Sequence, residues 1–322
     1  MACAPVLLIG FNRPDFMAEQ IEAIRPAAPA RLYVAVDGPR ADRPDEAELC
    51  RGVRECVKLI DWTCEVRTLF REKNLGCKHG VSGAITWFFE NEPEGIVLED
   101  DCRPTVDFLE FATEMLSRYR DDVRIGAVNG FNLFNLQTDE KASYHFSSHM
   151  DVWGWASWRR VWKDYSVDMS SLGQDPSRAV ESSRMTSYMK KVYKGYVKDL
   201  EHGLSTWDIQ MSILFMAKGL LSVVPKIRLI ANAGVADDRA THTGGYVYWG
   251  KDWSHAGRLP FPIVHPSVVS CDYRADVLRE KIEGAIFPRA LTFIGSKIPI
   301  LRIGLTLIGG VIESLMPILF RI

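Results

Sequence analysis

Three consecutive carboxylates, Glu99, Asp100 and Asp101, close a short apolar run, Gly95-Ile96-Val97-Leu98, and are followed by Cys102-Arg103-Pro104. An apolar run without alternation predicts a strand buried on both faces, as in a parallel sheet. The carboxyl end of such a strand opens onto the crevice where open α/β sheets bind ligands. Adjacent acids repel one another and need a cationic partner, and a divalent ion bridging a polyphosphate supplies one. A strand end followed by a helix N-terminus accounts for the same acids through the helix dipole. The triplet alone fits both readings.

Other polar groups stand at the same kind of position. Asn12-Arg13 follow the apolar run Val6 to Ile9, and Asp37-Gly38-Pro39 follow Arg31 to Val36. A third run, Glu65 to Phe70, leads into the glycine-bearing loop 74–80, which carries Asn74, Gly76 and Lys78. Each of these alone is a turn or cap signal, but chance is a poor account of all of them falling at strand ends. Neither a G-x-G-x-x-G nor a P-loop pattern occurs, so those phosphate cradles do not explain the crevice. Farther on, Trp207-Asp208 opens an amphipathic stretch (Ile209, Ile213, Leu214, Met216). Asp208 fits a first-turn acid and equally a general base. Trp153, Trp155 and Trp158 do not share one helical face. They suit sugar stacking, since aromatic faces pack against ring C–H groups, and equally a structural tryptophan cluster. The loop 233–245 is small-residue and polar, with His242 near its end.

The elements that must position these residues alternate. Strands at 6–9, 31–36, 65–70 and 96–98 are separated by helical stretches: one from Asp15, as N-cap, to Arg25, one over 46–60, and one ending near Phe89. The pattern predicts an α/β fold with a mostly parallel central sheet and right-handed crossovers. A helix from Pro104 to Arg120, a strand at 125–128, peripheral polar helices over 168–203 and a strand near 221–225 complete it. The chain of 322 residues is 47% hydrophobic and 25% charged, ordinary for a globular protein with a real core. A net charge of −2 gives no electrostatic case for nucleic acid. Seven cysteines without C-x-x-C pairing argue against a disulfide framework or structural zinc. No signal-peptide pattern opens the chain, so the expected location is cytoplasmic.

Taken in order, Asn12-Arg13, Asp37-Gly38, Asn74-x-Gly76 and Glu99-Asp100-Asp101-x5-Asp107-Phe108 resemble the GT-A glycosyltransferases. Trp153-Gly154-Trp155 and Trp207-Asp208 extend the similarity to the N-acetylglucosaminyltransferase I group and its bacterial relatives, over about residues 5 to 245. The resemblance implies a GT-A, Rossmann-like nucleotide-diphospho-sugar transferase fold and transfer from a nucleotide-sugar, a UDP-sugar, to a glycan or lipid-linked acceptor. It implies that Asp101 binds Mn²⁺ or Mg²⁺ and that Glu99 and Asp100 bind the donor sugar and ribose. Arg13 would lie near the diphosphate and Asp37 on the nucleoside, with Asn12, Asn74 and Lys78 beside them. Asp208 would be the base of an inverting displacement, the family's doubled acid being Asp208-Ile209 here. His242 would supply a second metal or diphosphate contact. A sugar-nucleotide nucleotidyltransferase and a non-catalytic sugar-binding protein of the same fold are the competing readings. The first normally carries a glycine-rich basic loop after the first strand, which Gly10-Phe-Asn-Arg-Pro14 does not supply.

The expected organisation is a catalytic domain over 1–284, with a nucleotide-binding half over 1–128 and an acceptor half over 129–284. Residues 285–322 differ in kind: apolar runs of about ten residues are punctuated by Arg289, Lys297, Arg302, Glu313 and Arg321. A spanning helix needs about 20 apolar residues. These C-terminal apolar helices therefore suit a membrane-surface anchor at the inner face of the plasma membrane, or packing on their own domain.

Overall fold

The structure, a computed structural model, describes residues 2–234, 253 and 255–286. Its first half alternates as the periodicity predicts. Strands β1 (Val6–Gly10), β2 (Arg31–Val36), β3 (Glu65–Phe70) and β4 (Glu94–Glu99) are joined through helices α1 (Pro14–Ile24), α2 (Glu46–Glu55) and α3 (Gly76–Asn91). All five residues of β1 are buried, as are Ile96, Val97 and Leu98 of β4, which is what continuous β-branched and leucine runs are suited to. Helix α1 begins at Pro14, one residue before the expected cap: proline needs no N–H partner at the first helical position. Asp15 lies within the first turn instead, where the dipole favours an acid.

The second half adds α4 (Val106–Arg118), β6 (Ile125–Asn129), β7 (Tyr144–Ser147), β8 (Trp155–Trp158) and α5 (Arg159–Trp162). Then come α6 (Pro176–Ser182), α7 (Ser187–Glu201), α8 (Asp208–Lys218), β9 (Leu221–Pro225) and α9 (Tyr273–Ile286). Two short strands, β5 (Cys102–Pro104) and β10 (Ile230–Asn232), pair antiparallel as a separate ribbon. Among the described residues the main sheet has eight strands in the order β3-β2-β1-β4-β8-β6-β9-β7. The pairings leave β8 and β7 opposed to the other six, so the sheet is mixed and mostly parallel. Strand β8 lies between β4 and β6, so residues from the 129–284 half stand inside the sheet begun by the 1–128 half.

The carboxyl ends of β1, β2 and β4 therefore share one edge. Register places Ile9 beside Glu99 and Gly10 beside Val36, so the segments beginning at Phe11, Asp37 and Asp100 leave the sheet together. Helices α6, α7 and α8 bury Ala179, Val180, Met189, Val197, Ile213 and Met216 in a small separate core, which matches the peripheral helices expected there. Helix α9 is seated by polar contacts. Asp276 accepts from Ser147 Oγ at 2.6 Å and Ser148 N at 2.8 Å, and Arg279 donates to both oxygens of Asp151 at 2.8 Å. His149 and Glu280 pair at 3.0 Å. Among the described residues no helix is long and apolar enough to cross a membrane, and residues 287–322 lie outside them.

Candidate active site

The acidic turn Glu99–Cys102 is held through its backbone carbonyls by groups from elsewhere in the chain. Gln20 of α1 donates through one amide nitrogen to the carbonyls of Glu99 (2.7 Å) and Cys102 (3.0 Å). Arg103 takes the carbonyl of Asp100 at 2.5 Å, and Ala233 N takes that of Asp101 at 2.9 Å. With all four carbonyls engaged, the three carboxylates are aimed by a fixed backbone.

They are not equivalent. The Arg13 guanidinium grips Asp100 through two donors, Nε lying 3.1 Å from Oδ2, and this pair is largely covered. Burial still raises the Asp100 pKa to about 6, against the lowering effect of Arg13. Asp101 reaches the same guanidinium only at 3.7 Å, and its side chain is 20% exposed against 8% for Asp100. Glu99 is pushed well above the ordinary carboxylate range by burial, then by Asp101, Asp208 and Asp100, while the Trp207 indole donates to it. Burial also raises the Cys77 thiol, with Glu99, Asp208 and Asp101 adding to the effect. Glu99, Asp101 and Asp208 thus lie within electrostatic reach of one another and of Cys77, although they come from the end of β4, the turn after it and the first turn of α8.

Asp208 is half-buried and accepts from the Thr206 hydroxyl. Its neighbour Trp207 is buried, stacked on Trp155 with ring centroids 5.8 Å apart. Tyr165 donates to the Trp207 carbonyl at 3.1 Å and stacks on Trp162 at 4.3 Å. The expectation that Trp155 and Trp207 stack on a sugar is corrected here: both are core residues, 0% and 2% exposed, whose faces are covered by other aromatic rings. Trp155 and Trp158 belong to a strand, three apart and so on opposite faces of the sheet, which is how both become core. Trp153 precedes that strand and is partly buried, edge-on to Phe131 at 4.8 Å.

Asp37 is occupied by the protein. It accepts from Leu75 N (2.9 Å), Gly38 N (3.0 Å) and Asn74 Nδ2 (3.1 Å), and burial raises its pKa against these donors. Asp37 and Asn74 thus brace the loop before α3, and Lys78 stands in that helix's first turn. Gly38 is where the two loops touch, since a Cβ there would lie 2.4 Å from Lys73 N. Asn12 donates to Glu46 at 3.3 Å, and the buried Glu46 also pairs with the more exposed Arg40. His242 lies outside the described residues.

Among the described residues no group of three or more His, Cys, Asp or Glu side chains is arranged to hold a metal ion. Mg²⁺-type sites are commonly completed by water and substrate phosphates around one or two carboxylates, and hard oxygen donors suit such ions. Asp101 fits that role. Gly234 follows β10 directly against it, and a Cβ at Gly234 would stand 2.5 Å from Asp101 Oδ2. Space beside the carboxylate thus depends on a missing side chain. Gln20 and Gly234 are the site residues that motif reasoning passes over. Gln20 carried a signal: it is the one polar residue in the buried stripe Phe16, Met17, Gln20, Ile21, Ile24 of α1.

No family model matches the chain, and no curated protein matches it. The resemblance to the N-acetylglucosaminyltransferase I group therefore rests on its motifs. Solved structures give remote likenesses. HddC from Yersinia pseudotuberculosis shares 13% identity over 50% of this chain and 80% of that chain, with a TM-score of 0.31. The same protein complexed with GMP-PN gives 14%, 50%, 80% and 0.33. A UDP-glucose pyrophosphorylase complexed with UDP-glucose gives 8% identity over 69% of this chain and 90% of that chain, with a TM-score of 0.34. At these scores no activity carries over to this chain.

Proposed function

We propose that this chain is an enzyme acting on a nucleotide-sugar, and that it transfers the sugar to a hydroxyl acceptor. The observation that carries the reading is the convergence of Glu99, Asp101 and Asp208 at the carboxyl edge of a mostly parallel sheet. Asp101, more exposed than the Arg13-paired Asp100, is the residue to hold Mn²⁺ or Mg²⁺ with the diphosphate. Such an ion neutralises charge on the departing nucleotide. Arg13 keeps Asp100 charge-balanced while lying near Asp101, so Asp100 is matched within the protein and Asp101 is left for the ion. Asp208, on a separate element and accepting from Thr206, takes the proton of an acceptor hydroxyl in this reading. Attack opposite the leaving nucleotide then inverts the anomeric carbon.

Formation of the nucleotide-sugar is the competing reaction, and the name of one remote structural likeness, UDP-glucose pyrophosphorylase, belongs to that chemistry. Its nucleophile, the phosphate of a sugar phosphate, is already an oxyanion and needs no base. Asp208 separates the two. In the sugar-transfer reading, incubation with UDP-sugars and Mn²⁺ releases UDP, and Asp208→Asn slows this on the order of 10²- to 10⁴-fold. Pyrophosphate release from UTP and a sugar 1-phosphate, undiminished in Asp208→Asn, would instead establish nucleotidyl transfer. Tight nucleotide-sugar binding without either product would leave a binding protein.

A further inference from the structure

We propose that Gln20 is a positioning residue that sets the aim of the metal-binding acid Asp101; this rests on the metal reading of the site given above. Gln20 is fully buried in α1, on the stripe that otherwise carries Phe16, Met17, Ile21 and Ile24. An apolar side chain there would match its neighbours. Instead the two hydrogens of one amide nitrogen go to the carbonyls of Glu99 and Cys102, which flank Asp100 and Asp101. The same amide's oxygen, Oε1, is buried without a hydrogen-bond partner. A buried unpaired acceptor is costly, so ordinary packing does not explain a glutamine here. Bridging both ends of the turn does. The other two carbonyls are held from outside α1, by Arg103 and by Ala233 N. Without Gln20 the turn keeps its middle contacts and loses the ones at its ends. Asp101 is then free to swing away from its place against Gly234.

The test uses the full chain, with Mn²⁺ affinity in the presence of UDP read by electron paramagnetic resonance and Tm measured in parallel. Gln20→Met keeps the volume and removes both donors. Its Mn²⁺ affinity is expected to fall about 10- to 100-fold, the usual cost of losing an orienting outer contact. Gln20→Asn, one methylene shorter, spans only one carbonyl, falls in the same direction and serves if Gln20→Met does not fold. Ile24→Val, a core change in the same helix, lowers Tm and leaves Mn²⁺ affinity alone, which separates aim from stability. Wild-type affinity in a folded Gln20→Met or Gln20→Asn protein overturns the assignment while leaving the metal reading intact. A wild-type chain that binds no Mn²⁺ with UDP overturns the metal reading itself, and the assignment with it.

Discussion

Asp101 differs from its two neighbours in what surrounds it. Asp100 is covered and matched by Arg13, and Glu99, half-buried, stands among like charges beside Trp207, whereas Asp101 is partly exposed next to a glycine. That asymmetry gives the first prediction. Gly234→Ala places a methyl 2.9 Å from Asp101 Cβ and displaces the carboxylate. Overpacking of this kind costs about 1 to 3 kcal/mol. Mn²⁺ affinity, measured by titration calorimetry with UDP present, is expected to drop more than tenfold, as when a ligand's orientation is lost; unchanged affinity would mean that the space beside Asp101 is not used. At this scale the acids were legible, because Glu99, Asp101 and Asp208 follow apolar runs or open a helix. Asp37 was legible as a strand-end acid but not as a brace for Asn74 and Leu75. That role depends on a loop 37 residues away in sequence.

Elements were legible where periodicity was strong. Strands β1, β2 and β4 follow from apolar runs, and α4 from a repeating apolar face, to which the structure adds a Thr105 cap. The short strands β5, β7, β8 and β10, three or four residues each, were not, because such lengths carry too little pattern to separate a strand from a loop. In β8 Trp155 and Trp158, three apart, are buried on opposite sheet faces, which is the structural tryptophan cluster that the sequence left open beside sugar stacking. Helix α9 supplies the prediction at this scale. Burial and Arg279 would lower the His149 pKa, but Glu280, Asp276 and Glu283 carry it above its ordinary value of 6.5. A raised folded pKa means that the protonated form binds the fold better. This stabilisation is full below pH 6.5 and fades as pH rises through the raised value. Tm is therefore expected to decline above pH 6.5, and His149→Gln to remove that part of the decline. Parallel wild-type and variant slopes between pH 6 and 9 would show that the His149–Glu280 contact does not titrate in this way.

For the molecule as a whole, the fold class was legible and the strand order was not. Alternating helices and strands dictate a largely parallel sheet, while the insertion of β8 between β4 and β6 is a long-range pairing with no local signal. The polar seat of α9 matters here too, because the apolar and basic residues 287–322 follow it directly. We expect the full chain to sediment with anionic vesicles and a chain ending at Ile286, which keeps α9, to stay in the supernatant. Co-sedimentation of the shortened chain would move the membrane contact elsewhere. The central claim is that the acids gathered at the sheet edge form a metal-dependent transfer site. Its most direct test is UDP release from UDP-sugars by wild type and Asp101→Ala, each with Mn²⁺ and with EDTA. The account predicts turnover only for wild type with Mn²⁺, and undiminished turnover by Asp101→Ala in EDTA would contradict it.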